Sequence, residues 1–118
     1  MPRRLMMLVF GVLALAAGLT AQPGPLLRFG VVTDIHYADI DTSGARTYRE
    51  SDGKLAECVR VMNEARVDFL VELGDFKDQD KSPQEARTLA FLQKIEGVLA
   101  AFKGPRFHVI GNHDTDSI

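Results

Sequence analysis

The chain has 118 residues, of which 46% are hydrophobic and 25% charged, an ordinary globular composition sufficient for one domain. Its 14 basic and 16 acidic residues give a formal net charge of −2. Such a composition excludes disordered and fibrous chains, and the acidic balance argues against nucleic-acid binding, which depends on clustered Lys and Arg.

Residues 1–21 read as a leader. Arg3 and Arg4 precede fifteen uncharged residues, 5–19, and small residues follow in Gly18, Thr20 and Ala21. Basic, apolar and small residues in that order are the pattern of a secretory signal peptide. The apolar run falls short of the roughly 20 residues a membrane helix needs, which disfavours an uncleaved anchor. Cleavage is expected after Ala21, with Gly18 as the alternative. The domain would then span residues 22–118 as an exported protein, periplasmic or secreted, with no stable membrane span. The paired arginines permit twin-arginine export without selecting it over general secretion. Losing Arg3 and Arg4 leaves 12 basic against 16 acidic residues, a net charge of −4.

Residues 28–33 are dense in apolar and β-branched types and predict a strand buried on both faces. Residues 34–48 are polar and predict a long loop, a length usually kept for function. A helix is expected from Ser51 or Asp52 to Arg66, burying Leu55, Cys58, Val59, Met62 and Ala65 along one stripe. Cys58 is the single cysteine, so no internal disulfide forms, and on that stripe it reads as a small buried hydrophobe. Residues 68–73 predict a second strand. Ser82-Pro83-Gln84-Glu85 has the cap, proline and acid of a helix start, and Leu89, Leu92, Ile95, Leu99 and Phe102 form that helix's apolar face. Gly104-Pro105 ends it, and residues 106–110 predict a third strand. The order β-α-β-α-β argues an α/β domain with parallel strands and right-handed crossovers. Two such helices cover one face of the sheet only.

Each strand runs into a polar cluster: Asp34-Ile35-His36, then Gly74-Asp75-Phe76-Lys77-Asp78, then Gly111-Asn112-His113-Asp114. The carboxyl ends of parallel strands form the ligand crevice of open α/β sheets, so the three clusters converge. Glycines before Asp75 and Asn112 allow tight turns and close approach. Mixed carboxylate and imidazole donors are the inventory of a metal site. Asp34 and His36, two apart on extended chain, point the same way and can share one ion. Asp75 can bridge two cations, Asn112 can offer an amide oxygen to the second, and His113 can face substrate. His108 reads as a strand histidine with a backbone partner. Asp39, Asp41, Asp80 and Asp116 read as solvated loop acids that would border the site.

In this order the three clusters resemble the first three blocks of the calcineurin-like metallophosphoesterase family, over residues 29–114. The resemblance implies a β-sandwich flanked by helices, of which this chain is the N-terminal half. It implies a centre of two metal ions, manganese, iron or zinc, with Asp34 and His36 on the first ion, Asp75 bridging and Asn112 on the second. His113 would assist at the scissile phosphate, Asp114 would orient it, and Asp78 would support the site. Family members carry further histidines in two later blocks that complete both ions. Those blocks are not in this sequence, so a truncated domain is expected, and the alternative is an inactive fragment or metal-binding remnant. Tyr37 and Arg46-Thr47-Tyr48-Arg49 are similar to the branch that cleaves ADP-ribose and CDP-alcohols. That similarity implies a small phosphoester substrate of nucleotide type.

Overall fold

A computed structural model describes Gly24 and residues 27–117, so the leader lies outside the described residues. Strand β1 (Phe29–Val32), helix α1 (Ser51–Glu64), strand β2 (Phe69–Glu72), helix α2 (Glu85–Leu99) and strand β3 (Arg106–His108) follow one another, with a 3-10 turn at His113–Thr115. The strands are parallel in the order β1-β2-β3, and Phe29 pairs with Phe69 while Glu72 pairs with His108. The expected β-α-β-α-β topology is therefore present as an open three-stranded sheet. Among the described residues no helix is long and apolar enough to cross a membrane.

The two helices pack against each other on one face of the sheet. Leu70 of β2 points into that layer and is fully buried, with Leu55 and Val59 of α1 and Phe91, Ile95 and Leu99 of α2 around it. Side chains alternate along a strand, so Phe29, Val31 and Phe107 face the other way. Phe29 is 54% and Phe107 56% exposed, and no described residue covers that face. Its rings pack on one another across the strands, Phe29 stacked on Phe69 at 5.2 Å and Phe69 edge-on to Phe107 at 5.8 Å. One-sided coverage is what two right-handed crossovers produce.

Three local expectations change. Cys58 is exposed, not buried. Helix α1 buries Leu55 and Val59 and sets a half-buried Met62 against Gly30 of the edge strand β1, while Ala65, also expected on the buried stripe, is exposed. The buried stripe of α2 is turned by one position, to Thr88, Phe91, Ile95 and Leu99, with Leu89 and Leu92 only half-buried. Thr88 enters the core because its hydroxyl donates to the Gln84 carbonyl at 3.1 Å, and Phe91 meets Tyr37 edge-on at 6.1 Å. Helix α2 also begins at Glu85, after an extended Gln84, without a Ser82 cap. There Asp80 pairs with Arg87 at 2.5 Å beside the first turn.

Leu70→Ala is expected to lower the unfolding free energy by about 2–5 kcal/mol, because a fully buried side chain leaves a cavity. Leu73→Ala, at a half-exposed site on the open face, serves as the control and is expected to change it by less than about 1 kcal/mol. Urea denaturation of both variants measures the contrast.

Candidate metal centre

The site forms where the backbone just beyond β1 and β2 is bonded together. Asp34 donates its N–H to the Gly74 carbonyl at 3.1 Å, His36 to Asp75 at 2.9 Å, and Asp78 to Tyr37 at 2.9 Å. Asp34, His36 and Asp75 all take positive φ, at 55°, 47° and 55°. The segment 34–36 is thus not extended as expected. Asp34 and His36 converge because each twists into the left-handed region, a strain of about 1–3 kcal/mol apiece that the surrounding hydrogen bonds hold in place.

Two glycines make room. A Cβ on Gly74, whose φ is +97°, would lie 2.6 Å from the Gly111 nitrogen. A Cβ on Gly111 would lie 2.3 Å from both the nitrogen and Oδ1 of Asp75. The two loops therefore pass backbone against backbone, and this close approach is to each other.

His36 is buried, with Nε2 3.6 Å from Asp34 Oδ1 and 3.7 Å from Asp75 Oδ2. Both separations exceed hydrogen-bond range. Its Nδ1 is fully buried and makes no hydrogen bond among the described residues, although Asp78 Oδ2 lies 3.4 Å away. Asp75 divides its oxygens, since Oδ1 accepts the His113 N–H at 2.9 Å while Oδ2 faces His36. The rings of His36 and His113 meet edge to face at 4.9 Å. Ligand atoms of His36, Asp75 and His113 fall within 4.8 Å of one another, as do those of Asp78, His113 and Asp116. Two His/Asp clusters sharing His113 are thus positioned to chelate divalent ions, and the wide gaps around His36 Nε2 leave donors for one. The donor set suits manganese, iron or zinc alike.

The other anticipated residues are placed as follows. Asp78 is buried, accepting the Gln79 N–H at 2.8 Å and pairing with Arg46 at 3.3 Å. Asn112 sits exposed ahead of the 3-10 turn, and its side-chain amide makes no hydrogen bond among the described residues. Asp114 was expected to orient the His113 ring. Instead its carboxylate accepts backbone N–H groups from Asp75 at 2.9 Å, Phe76 at 2.8 Å and Gly111 at 2.7 Å. The group that meets His113 Nδ1 is Asp116, at 2.9 Å, which had read as a solvated acid. The available signal was spacing, because residues three apart eclipse on a 3-10 turn. Asp39 and Asp41 lie away from the centre, both bound to Arg49, whose guanidinium holds their carboxyls below the usual range.

The profile of the calcineurin-like phosphoesterase family matches residues 27–117, nearly all of the described chain. The chain belongs to that family. Among its relatives is the manganese-dependent ADP-ribose/CDP-alcohol diphosphatase of Arabidopsis thaliana, 35% identical over 100 residues, covering 80% of this chain and 32% of the relative. The Danio rerio protein of the same name is 32% identical over 96 residues, covering 76% and 30%. A crystal structure of a dimetal phosphatase from Danio rerio superposes with a TM-score of 0.68 at 28% identity, covering 77% of this chain and 31% of that one. The chain thus spans about a third of the length of these phosphoesterases.

Behind the centre, β2 carries a buried acid. Glu72 is 1% exposed, accepts the Gly74 N–H at Oε1 at 2.6 Å, and faces His108 Nδ1 at 3.4 Å. His108 therefore meets carboxylates, Glu72 and, at 3.5 Å, Glu96, where a backbone partner had been expected. Burial raises the Glu72 carboxyl above its usual 4.5, against the opposing bonds from Gly74 and His108. Above pH 4.5 the folded chain accordingly holds this proton more tightly than the unfolded chain, and stability falls as pH rises through that window. Glu72→Gln keeps the acceptor for Gly74 and is expected to remove that part of the fall. Urea denaturation of both proteins from pH 4 to pH 8 tests this, and parallel curves would refute it.

Proposed function

We propose that this domain supplies the first part of a two-metal centre that hydrolyses phosphoester bonds in a small nucleotide-type substrate. The observation that carries the reading is His36, a buried imidazole whose Nε2 is flanked at 3.6 and 3.7 Å by the oxygens of Asp34 and Asp75. A divalent cation between them would take an oxygen from each carboxylate and the Nε2 lone pair at once. The three groups also stand on the residues that match the family's blocks.

Asp34, His36 and Asp75 would hold one ion and Asp78, His113 and Asp116 would face the other, with Asn112 adding an amide oxygen after rotation of its exposed side chain. Divalent ions there supply Lewis acidity, lowering the pKa of water and neutralising phosphate oxygens. The chain's own residues order that chemistry. Asp116 accepts from Nδ1 of His113, fixing the tautomer and leaving the ring's other nitrogen for a phosphate oxygen or a cation. Arg46 neutralises part of the charge on Asp78. A cleft of about 420 Å³ adjoins Asp34 and His36 and is bounded by Arg46, Tyr48, Lys54 and Leu55. It has room for the organic part of a substrate beyond the scissile phosphate. The names of the relatives support a nucleotide diphosphate such as ADP-ribose or a CDP-alcohol.

A metal-binding module without turnover is the second reading. It is favoured by the sharing of His113 between both clusters, which leaves the described residues few ligands per ion. Manganese titration by calorimetry, alongside ADP-ribose hydrolysis with added manganese, separates the two readings. Binding without hydrolysis favours the module. Asp75→Asn is expected to weaken manganese binding at least about tenfold and to remove any hydrolysis. Unchanged binding and turnover in that variant would sink both readings. Export is part of the proposal, supported by the order of residues in 1–21, and N-terminal sequencing of secreted protein is expected to begin at Gln22.

A further inference from the structure

We infer that Lys77 is a positioning residue for the metal centre, its buried ammonium fixing the turn that carries His113 and Asp116 against the loop that carries Asp75 and Asp78. The inference rests on the functional reading above for its consequence, although the contact itself is structural.

Lys77 is 0% exposed. Its Nζ donates to the carbonyl of His113 at 2.8 Å and to the carbonyl of Asp116 at 2.8 Å. Among the described residues no carboxylate oxygen lies within 4.0 Å of Nζ, so this is not an ion pair but the capture of two carbonyls. Those two carbonyls bracket the 3-10 turn, and the side chains of the same two residues meet at 2.9 Å. Fixing both carbonyls to one nitrogen fixes the backbone that sets this side-chain contact.

A buried ammonium is expensive, and a methionine would fill the same volume without that penalty. The position therefore calls for a donor with more than one N–H, which an ammonium supplies. Burial lowers the Lys77 pKa from its ordinary value, opposed by the nearby carboxylates of Asp116, Asp114 and Asp78. The backbone N–H of Lys77 also points to Asp114 Oδ1, at 3.4 Å. The two loops are thus gripped from both sides, N–H groups of 75–77 reaching the Asp114 carboxylate and the Lys77 ammonium reaching the carbonyls of 113 and 116.

Manganese alone is the probe. Lys77→Met is expected to keep its far-ultraviolet circular dichroism while its manganese affinity, by calorimetry, falls by about 10–100-fold, the usual effect of losing a group that orients metal ligands. In a Cys58→Ser background, Lys77→Cys alkylated with bromoethylamine in denaturant and refolded restores an ammonium at the same reach. It is expected to recover the unsubstituted affinity, which a loss of packing alone would not predict. A folded Lys77→Met protein that binds manganese as the original does would overturn the inference, as would failure of the aminoethylated protein to recover. Should Lys77→Met not fold, hydrogen exchange on the original chain decides. Amides of 111–116 protected together with those of 75–78 support the clasp, and amides exchanging as a free loop overturn it. If the original chain binds no manganese, the functional reading fails, and the exchange result alone then judges the clasp.

Discussion

The Asp114 carboxylate is where the architecture of the centre is decided. It collects the N–H groups of Asp75, Phe76 and Gly111 within 2.9 Å, joining two loops through bonds that span 39 and 38 residues of the chain. A carboxylate that accepts several backbone N–H groups makes charge-assisted bonds, and these are stronger than neutral ones. They form only when β2 and β3 are in register, with Glu72 opposite His108, so the sheet pairing and the site are one event. Once the loops are joined, Asp75 has no freedom left. Its N–H is bound to Asp114, its Oδ1 to the His113 N–H, and its Oδ2 is left facing His36. The glycines at 74 and 111 are a consequence of the same contact, because a Cβ at either would occupy the space where the loops touch.

The strain follows the ligands. Among the described residues, three of the five non-glycine residues with positive φ are Asp34, His36 and Asp75. An imidazole in the left-handed region is uncommon, and it persists here because the His36 N–H is bound to the Asp75 carbonyl across the loops. The folding energy of the helix layer, concentrated at Leu70, Ile95 and Leu99, is what holds that geometry. It acts through the strands, since Asp34 and His36 lie just past Val32, the last paired position of β1, and Asp75 just past its partner Glu72 in β2. The opposite face of the sheet contributes little among the described residues, with Phe29, Val31 and Phe107 left open.

Much of this was legible in the sequence because strand ends and glycines are local signals. Apolar runs placed β1, β2 and β3, and the polar clusters after them converge as parallel topology requires. What the sequence concealed was how each side chain is spent. Asp114 and Asp116 are both acids within three residues of His113, and nothing in their identity says which one meets the ring. That depends on the 3-10 turn, which eclipses Asp116 with His113 and turns Asp114 towards the backbone of the neighbouring loop. Helical periodicity has the same weakness at Leu92 and Phe91, adjacent stripes that only the position of Tyr37 distinguishes. Cys58 was misread because a periodic stripe does not reveal that its helix lies at the edge of a sheet.

Charge gives the remaining constraint. Asp34, Asp75, Asp78, Asp114 and Asp116 crowd around two imidazoles, and among the described residues Arg46 reaches a carboxylate of this group while Lys77 reaches only backbone carbonyls. Asp114 is relieved by backbone N–H groups and Asp78 in part by Arg46, which leaves Asp34 and the His36-facing oxygen of Asp75 without a Lys or Arg partner among the described residues. A divalent cation between Asp34, His36 and Asp75 would relieve that repulsion. The same negative field that would repel a phosphate from the bare residues is the field that gathers the cations needed to receive it.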